Sequence, residues 1–396
     1  MKRVLCAMSG GVDSSVAARL LLNQGYAVVG VTMVLIPDNA LLENPSQDEL
    51  YAYSPEAQDA RAVARTIGIN HVVVDYRSLF SEQVIVPFCK AYLSGLTPNP
   101  CIECNKYLKF GALQALRRKL ECDYLATGHY AQVVFNEESQ KYELHKGADH
   151  SKDQSYVLYH VSQEDLEHTL LPLGSYTKNE TRELAGEAHF SNANKPESQD
   201  ICFIPDGNYA AYIERFLLQN KKESSCKEEG HSSFSAGAEK SSNGEGCRQN
   251  SEYAIEPGPI VDTSGNQLGI HKGLLYYTIG QRKGLGVAVG EPLFVLKKDV
   301  EHNTLVVGRA EETGITYLVA ADCAFPSDDD FSVKRSVQVK INYRARMRSA
   351  TAWLEGEQLI IRFDEPIRGA APGQAVVLYE GDRVVAGGTI ASFGHS

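Results

Sequence analysis

The stretch Ala7-Met8-Ser9-Gly10-Gly11-Val12-Asp13-Ser14-Ser15 lies almost at the start of the chain and decides the fold of the N-terminal domain. The apolar run Val4-Leu5-Cys6 before it predicts a buried strand, and residues 16–23 after it predict a helix that ends before Gly25. A strand, a glycine- and serine-rich turn and a helix in direct succession form an anion site, because backbone N–H groups of the turn and the first helical turn point at the ligand. The glycines let a phosphate approach closely, and the serine hydroxyls add donors.

This loop resembles the pyrophosphate-binding loop of the ATP-pyrophosphatase families, Ser-Gly-Gly-x-Asp-Ser-Ser. An ordinary strand-to-helix turn would account for a lone Gly-Gly pair, but not for the whole string. The Gly-Lys-Ser/Thr ending of a Walker loop is missing, and so is the pattern Gly-x-Gly-x-x-Gly. Because these families cleave ATP to AMP and pyrophosphate, the resemblance implies an ATP site. The loop does not identify the substrate that ATP activates.

Strand and helix patterns alternate through the residues after the loop. Strands are predicted at 27–33, 71–75 and 124–128, helices at 57–67, 81–93 and 108–120, and a loop at 37–56. Alternation of this kind predicts an α/β domain with a parallel sheet and helices on both faces, whose ligands bind at the carboxyl ends of the strands. The loop, Met33 and Gly128 would all lie at that edge.

We assign three domains to the chain. They are an ATP-pyrophosphatase catalytic domain at 1–208, a small central domain at 209–288 and a C-terminal β-barrel domain at 289–396. The catalytic domain includes a predicted hairpin at 131–147 and helical patterns at 163–188, and the central domain begins with a predicted helix at 209–218. Residues 220–252 are rich in Ser, Gly, Glu and Lys and predict a disordered insertion. From Ile255 onward, short strands between Gly, Pro and Asp turns predict a small barrel or sandwich.

Composition limits the function classes. The formal net charge of −11 excludes a generic polyanion binder, so a nucleic-acid partner would need a local basic face. The apolar run before the loop is too short for a signal peptide, and no run approaches a membrane span, so we expect a soluble, cytoplasmic protein with no membrane partner. The nine cysteines are an odd number, which favours reduced thiols over a disulfide framework.

The second informative stretch is Thr97-Pro-Asn-Pro-Cys101-Ile-Glu-Cys104-Asn-Lys106. Its two X-Pro units predict an extended entry and a helix that starts around Asn105. Cys104 would then lie near a helix N-terminus and close to Lys106, and both features favour the reactive thiolate. Three roles compete: a zinc knuckle, which would need a second ligand pair; a thioredoxin-like redox pair, which would follow the first strand; and a catalytic thiol with a distant partner.

The distant candidate is Cys202. A cysteine between Ile201 and Phe203 would by default be a buried and inert core residue. The polar residues on both sides, Ser198-Gln-Asp200 and Pro205-Asp-Gly207, argue instead for a short apolar run exposed in a loop.

Several motifs occur together and in order along the chain. Besides the loop they are Asn99-Pro-x-x-x-Cys104-Asn-Lys, Thr127-Gly-His129-Tyr, Lys152-Asp-Gln154-Ser-Tyr, Ser198-Gln-Asp-Ile-Cys202-Phe-Ile and Tyr277-Thr-Ile-Gly-Gln-Arg-Lys-Gly-Leu-Gly286. This combination resembles the bacterial tRNA-specific 2-thiouridylase family over nearly the whole chain.

The resemblance implies a sulfurtransferase that thiolates C2 of the wobble uridine in tRNAs for Lys, Glu and Gln. ATP would adenylate the C2 oxygen, which makes AMP a leaving group and releases pyrophosphate, with Mg²⁺ neutralising the phosphates. We assign no protein-bound metal site. The positions that match ATP contacts of the family are Ala7, Met8, Ser9, Gly10, Gly11, Val12, Asp13, Ser14, Met33 and Gly128.

The resemblance also assigns the sulfur chemistry to two cysteines. Cys202 matches the cysteine that receives sulfur as a persulfide from a relay protein. Cys104 matches the nucleophile that helps to release that sulfur and ends in a disulfide with Cys202. Such an exchange needs a thiolate within reach of the other sulfur, so the two cysteines should be near in space.

Contacts with tRNA are implied at positions in both halves of the chain. Residues 331–354 contain Lys and Arg but no acid, which is typical of either an RNA-binding face or a solvated strand pair. The positions that match tRNA contacts are Asn99, Pro100, Cys101, His129, Lys152, Asp153, Gln154, Tyr343, Arg344 and Gln374.

The chain departs from the family at Cys101, where many members carry an Asp that is a candidate acid or base. The departure leaves open which cysteine of the pair is the nucleophile, although the Cys-Asn-Lys context favours Cys104. Two rival functions are an ATP-pyrophosphatase that amidates or ligates small molecules and a nucleotide-binding regulatory module. Neither rival would need Cys104 or Cys202.

Overall fold

The computed structural model describes residues 1–37, 44–196, 201–228, 255–287 and 289–394, and only the backbone of 219–228. Five strands of the N-terminal domain form a parallel sheet in the order β3-β2-β1-β4-β7. The strands of this part of the chain are β1 Arg3–Ala7, β2 Ala27–Val34, β3 Asn70–Asp75, β4 Tyr124–Ala126, β5 Ala131–Asn136, β6 Lys141–Lys146 and β7 Thr169–Leu170.

Helices cover both faces of this sheet. Val4 and Cys6 of β1 pack in the cluster that contains α1, whereas Leu5 points to the opposite layer, as the alternation of a strand requires. The α-helices are α1 Val12–Asn23, α2 Gln47–Tyr53, α3 Pro55–Ile67, α4 Arg77–Phe80, α5 Val86–Leu93, α6 Pro100–Glu103, α7 Leu113–Lys119, α8 Gln163–Glu167, α9 Lys178–Glu187 and α10 Tyr209–Glu228. Ser81–Ile85 and Cys104–Ala112 are π-helical, and Ser155–Val157, Leu274–Tyr276 and Ala310–Thr313 are 3₁₀ turns.

The strand order reverses between β1 and β4, because β2 and β3 lie on one side of β1, and β4 and β7 on the other. The predicted parallel α/β sheet is therefore confirmed, and the crevice at its reversal point is where such sheets bind ligands. The loop after β1 and Gly128 after β4 flank this crevice.

Two local predictions for this domain were wrong. The predicted loop at 37–56 contains α2, which Ser46 and Glu49 start with a reciprocal capping box. The helical pattern at 163–188 is interrupted by β7, a two-residue strand at the edge of the sheet. A strand of two residues is too short to leave a periodic signal.

The central domain has a four-stranded sheet in the order β10-β11-β8-β9. Its strands are β8 Gly258–Val261, β9 Gln267–His271, β10 Phe294–Asp299 and β11 Thr304–Gly308. This arrangement corrects the boundary at 288/289, because β11 pairs with β8 and brings β10 with it into the central domain. The spacing of short strands is alike on both sides of that boundary, so the sequence pattern could not separate the two sheets.

The long helix α10 corrects a second boundary. It continues past the predicted end at 218 to Glu228, so the first residues of the predicted disordered insertion are helical. Lys221, Lys222 and Glu223 are residue types with good helix propensity, although the polar composition of the stretch predicted disorder. The rest of that prediction, at 229–252, lies outside the described residues.

The C-terminal domain is a six-stranded antiparallel barrel in the order β12-β15-β14-β13-β16-β17, closed by pairing of β12 with β17. This confirms the predicted β-barrel. Its strands are β12 Ile315–Ala324, β13 Arg335–Lys340, β14 Arg348–Glu355, β15 Gln358–Ile367, β16 Ala375–Glu380 and β17 Arg383–Gly394.

The predicted hairpin is formed by β5 and β6, and it joins the barrel through the pair His145–Arg383. Arg383 also donates to Asp329 and Glu380 and lies 3.7 Å from Glu143 of β6. These contacts attach the barrel to the N-terminal domain.

Candidate active site

The loop after β1 is shaped to hold phosphates. Gly10 has a φ of +69°, and a Cβ at this position would lie 2.5 Å from the Glu56 carbonyl oxygen, so only glycine fits. Gly11 is the N-cap of α1 and no side chain caps this helix, which leaves the N–H groups of its first turn for a ligand. Ser14 Oγ lies 3.3 Å from Ser9 Oγ and accepts from the Ser9 N–H, which ties the two ends of the loop together.

The loop is held from behind by polar side chains. Lys178 Nζ lies 2.7 and 2.9 Å from the two carboxylate oxygens of Asp13, and Tyr130 Oη donates to the same carboxylate at 2.8 Å. Asn192 Nδ2 donates to the Gly10 carbonyl at 3.0 Å and to Ser15 Oγ at 2.9 Å. Side chains from distant parts of the chain therefore hold Asp13 in position.

The remaining predicted ATP contacts lie around this loop. Ala7 ends β1, Met8 is buried beneath the loop, and Met33 lies near the end of β2. Gly128 is packed so closely that a Cβ there would lie 2.9 Å from Ser14 N and 3.0 Å from the Asp13 carbonyl carbon. The structure thus brings all the predicted nucleotide contacts to one edge of the sheet.

The cysteine pair lies on a helix that starts earlier than expected. Asn99 is the N-cap of α6 and its side chain accepts from the Cys101 N–H at 3.1 Å, so the helix begins at Pro100 and not around Asn105. Cys101 lies in the first turn, while Cys104 begins the π-helical segment Cys104–Ala112. The predicted place of Cys104 at a helix N-terminus was wrong.

Cys202 lies close to this helix although it is remote in sequence. Its neighbours Ile201 and Phe203 pack in the same hydrophobic cluster as Cys104 and Leu108. Charges on Cys101 and Cys104 would both act on the Cys202 thiol, which requires the three sulfurs to be near one another. Cys202 is exposed, but Phe203 and Ile204 of the apolar run that was expected to be exposed are buried. Residues 197–200 of its motif lie outside the described residues.

The expected activation of Cys104 was also wrong. Burial raises the pKa of Cys104, and the opposing effect comes from Lys109, with no contribution from Lys106. Burial likewise raises the pKa of Cys101, and it raises that of Cys202 to about 12. Cys101 and Cys202 are accessible to solvent, but protein surrounds their thiols on most sides. Burial thus favours the protonated form of all three thiols.

His129 connects the helix that carries Cys101 and Cys104, the thiol helix, to the edge of the parallel sheet where the loop after β1 lies. Its ring is buried, with Nε2 3.3 Å from Lys109 Nζ and Nδ1 2.7 Å from Thr127 Oγ1. Burial and the Lys109 charge hold the pKa of His129 well below its usual value, so the imidazole is neutral. Because the Lys109 ammonium can only donate, Nε2 accepts and Nδ1 carries the proton.

Comparison with known proteins gives matches along the chain. Residues 2–206 match the family described as the tRNA methyl transferase HUP domain, 250–309 its PRC-barrel domain and 316–390 the aminomethyltransferase beta-barrel domain. The tRNA-specific 2-thiouridylase MnmA of Moorella thermoacetica is 46% identical over 98% of this chain and 99% of its own length. That of Clostridioides difficile strain 630 is 44% identical over 98% of both chains.

The chain belongs to the tRNA-specific 2-thiouridylase family. This confirms the predicted family and the enzyme class of sulfurtransferase. The central match at 250–309 includes β10 and β11, in agreement with the sheet to which these strands belong. Among solved structures, a 4-thiouridine synthetase–RNA complex with bound ATP aligns at 15% identity over 54% of this chain and 50% of that chain, with a TM-score of 0.33. A score this low does not establish a shared fold.

Three of the residues predicted to contact tRNA, Tyr343, Arg344 and Gln374, lie in loops of the barrel. The Thr97 N–H donates to the Pro372 carbonyl at 2.8 Å, so the barrel loop that carries Gln374 contacts the segment leading to Asn99. Tyr343 lies in the exposed loop between β13 and β14 and packs edge-on against Tyr156, with ring centroids 6.5 Å apart. Arg344 beside it is exposed.

The motif Lys152-Asp153-Gln154 divides into structural and accessible parts. Asp153 is buried, and its carboxylate accepts from the N–H groups of Gly147 and Ser155. Gln154 Oε1 accepts from the Tyr130 N–H. Lys152 lines an open cavity of about 700 Å³ together with His150, Lys178 and Arg182. Of these three residues, only Lys152 therefore has a side chain that borders an open space, which a phosphate could enter.

Sequence reasoning missed four residues of this site: Lys109, Tyr130, Lys178 and Asn192. Tyr130 and Lys109 stand inside or beside the recognised motifs, but nothing in the pattern indicates where their side chains point. Lys178 and Asn192 lie more than 160 residues from the loop they support. Within the described ranges, no group of three or more His, Cys, Asp or Glu side chains could hold a metal ion. Likewise, none of the helices described is long and apolar enough to cross a membrane.

Proposed function

We propose that this protein 2-thiolates the wobble uridine of tRNAs for Lys, Glu and Gln in the cytoplasm, with cleavage of ATP to AMP and pyrophosphate. The relatives that are 44–46% identical over nearly their whole length are named tRNA-specific 2-thiouridylases. The methyltransferase wording in the names of the matching domains does not change the proposal, since the phosphate loop and the thiols are what thiolation requires.

One observation carries the proposal. The dipeptide Gly128–His129 touches the phosphate loop on one side, where Gly128 packs on Ser14, and Lys109 of the thiol helix on the other. An adenylated base held at the loop would therefore be next to the thiols. Activation and sulfur transfer could then act on the same atom without release of the intermediate.

In the first step the C2 oxygen of uridine attacks the α-phosphorus of ATP, forming a C2–O–AMP bond and releasing pyrophosphate. The uncapped N-terminus of α1 and the hydroxyls of Ser9 and Ser14 would hold the departing phosphates. The Asp13 carboxylate is already engaged by Lys178 and Tyr130, so the loop does not form a ready cage for Mg²⁺. Mg²⁺ would instead enter with the phosphates of ATP and water, as is usual for this ion.

In the second step a persulfide on Cys202, supplied by a relay protein, attacks C2. The new C2–S bond replaces the C2–O bond, and AMP leaves with the oxygen. The Cys104 thiolate then forms a disulfide with Cys202, breaks the bond to the transferred sulfur, and leaves that sulfur on the base. Two electrons from a reductant must reopen the disulfide before the next turnover.

Cys101 is the position where many relatives carry Asp. Burial raises the pKa of this thiol as it raises that of Cys104, so the preference for Cys104 as nucleophile rests on its Cys-Asn-Lys context. We propose that Cys101 contacts the target base as a neutral neighbour, while Cys104 is the nucleophile.

The tRNA would lie across the thiol site and the barrel loops. Asn99 and Pro100 precede Cys101, and the barrel loop that carries Gln374 contacts Thr97. Tyr343 packs on Tyr156, whose hydroxyl donates to the Ala375 carbonyl beside Gln374. Arg335 is not available for RNA because Asp329 and Glu380 engage it. Phosphate contacts would therefore come from the exposed Arg344, Arg346 and Arg348 and from Lys152, with the anticodon base turned out for reaction.

The test combines purified protein, ATP, Mg²⁺, a persulfide donor and unmodified tRNA, followed by mass spectrometry of the nucleosides. We expect 2-thiouridine in amounts equal to AMP and pyrophosphate. Cys104→Ser and Cys202→Ser should each abolish 2-thiouridine, whereas Cys101→Ser should retain it. The proposal fails if no 2-thiouridine forms, or if either of the first two variants makes it at the rate of the unchanged protein.

A further inference from the structure

The π-helical segment Cys104–Ala112 changes which side chains lie beside Cys104. In an α-helix a residue five positions later points about 140° away, because each residue turns the helix by about 100°. In a π-helix the hydrogen bond joins residues i and i+5, so that residue lies roughly one turn above the first. Lys109 comes five residues after Cys104, and the π geometry therefore brings its side chain toward the face of Cys104.

The end of the Lys109 side chain is held in place by neutral groups. His129 Nε2 accepts its hydrogen bond at 3.3 Å, and Thr127 fixes the ring from the other side. Lys109 is partly buried, and no carboxylate within the described parts of the chain forms an ion pair with it. The positive charge of Lys109 is therefore not compensated by one of these carboxylates and can act on the nearby thiols.

The three thiols need a nearby positive charge to ionise to thiolates. Burial disfavours the thiolate of Cys101, Cys104 and Cys202, and for each of them Lys109 acts in the opposite direction. Lys106, on the same helix, acts on Glu103 and His160 instead. Tyr212 lies near Cys202, and because burial raises its pKa to about 12 the phenol stays neutral and adds no negative charge.

We propose that Lys109 is a positioning residue for the sulfur chemistry, held by His129 and turned by the π-helix so that its charge stabilises anionic sulfur on Cys104 and Cys202. The proton of each thiol leaves to solvent, and the ammonium keeps its own protons. This role rests on the proposed function, because it concerns the sulfurs that we assign to the transfer.

The test measures alkylation by iodoacetamide from pH 6 to 10, resolved by mass spectrometry of the peptides that carry Cys104 and Cys202. Lys109→Gln removes the charge but keeps an N–H donor for His129, Lys109→Arg keeps the charge, and Lys106→Gln is the matched control. In Lys109→Gln we expect alkylation of both cysteines to fall about fivefold to tenfold at neutral pH and its pH profile to move upward, the size of a single-charge effect in a partly hydrated site. Lys109→Arg should restore most of the rate, and Lys106→Gln should change it less than twofold.

A merely structural role would give a different result. If the hydrogen bond to His129 were all that mattered, Lys109→Gln would retain the pH profile of the unchanged protein, and the proposal would be overturned. An equal loss in Lys106→Gln would also overturn it. If circular dichroism showed that Lys109→Gln is poorly folded, the pH profile of alkylation would be measured in the unmodified protein at increasing salt concentrations. A profile that moves to higher pH as salt screens the Lys109 charge would support the proposal, and an unchanged profile would overturn it. Because this assay uses neither ATP nor tRNA, its result is independent of whether 2-thiouridine forms.

Discussion

The phosphate loop and the thiol site lie side by side, yet they are built in opposite ways. The loop is a stretch of nine consecutive residues that runs from the last residue of β1 into the first turn of α1, and its shape results from Gly10 and from a helix N-terminus without a cap. The thiol site is assembled from Cys101 and Cys104 on one helix, Cys202 about a hundred residues later, and a barrel loop near Gln374. A contiguous motif can be identified from its amino-acid sequence, whereas the properties of a site assembled from separate segments depend on the three-dimensional surroundings of its residues.

The difference has a chemical consequence. Anion binding by the loop depends on backbone N–H groups, whose direction the local conformation decides. Thiol reactivity depends on desolvation and on one nearby cation, and both come from residues outside the cysteine motif. The two regions should therefore respond independently to mutation, except where Gly128 joins them.

The largest effect is expected from Gly10→Ala. A Cβ would lie 2.5 Å from the Glu56 carbonyl oxygen and the residue would keep a positive φ, so the loop must move. Strain of a few kcal/mol predicts a roughly 100-fold loss in kcat/KM for ATP-dependent thiolation. Alkylation of Cys104, measured in parallel, should be unchanged.

The matched control for this change is Gly186→Ala, in α9, where an added Cβ meets nothing within 4 Å. It should leave thiolation unchanged and stabilise the helix by about 0.5–1 kcal/mol. A fall in both ATP use and Cys104 alkylation in Gly10→Ala would show that the two regions are not separate.

Gly128→Ala tests the contact through which the phosphate loop and the thiol site are connected. The added Cβ would lie 2.9 Å from the backbone nitrogen of Ser14, which cannot rotate away. We expect a loss of roughly 30-fold in thiolation, since overpacking costs about 1–3 kcal/mol, and here pyrophosphate release and alkylation of Cys104 should both change. If only pyrophosphate release fell, Gly128 would belong to the loop alone.

The pH dependence of Cys202 is the next effect in size. Because burial raises its pKa to about 12, the thiolate fraction grows by about tenfold with each pH unit throughout the range below that value. Alkylation of Cys202 should therefore rise by about that factor per unit from pH 7 to 10 without a plateau, as measured by peptide mass spectrometry. A plateau near pH 9, as for an ordinary exposed thiol, would contradict this prediction.

The smallest effect concerns the support behind the loop. Asn192→Ala removes the donor to the Gly10 carbonyl and to Ser15 Oγ, and leaves buried acceptors without partners. We expect the free energy of unfolding to fall by about 1–3 kcal/mol and the KM for ATP to rise severalfold, as seen in denaturant titration and pyrophosphate release. Asn194→Ala, at an exposed neighbouring position, should change either quantity little.

Much of the fold could be predicted from the sequence, because strand and helix periodicities record local burial. The order of the N-terminal elements, the barrel and the hairpin at β5 and β6 were all indicated by such patterns. Strands β10 and β11 were assigned to the wrong domain because pairing with β8 is a long-range choice that leaves no local mark. Helix α2 was missed because its start depends on the capping pair Ser46 and Glu49 within a polar stretch.

The sequence by itself determined the phosphate loop, since glycine conformation and helix direction are properties of contiguous backbone. It also identified Cys104 and Cys202 as candidates through the residues beside them. Only the tertiary structure decided that these thiols lie together, that burial favours their protonated form, and that Lys109 rather than Lys106 opposes this effect. The physical reason is that ionisation of a thiol is governed by the solvent and charges around it in space, and these depend on burial by distant segments and on the direction in which the helix turns Lys109.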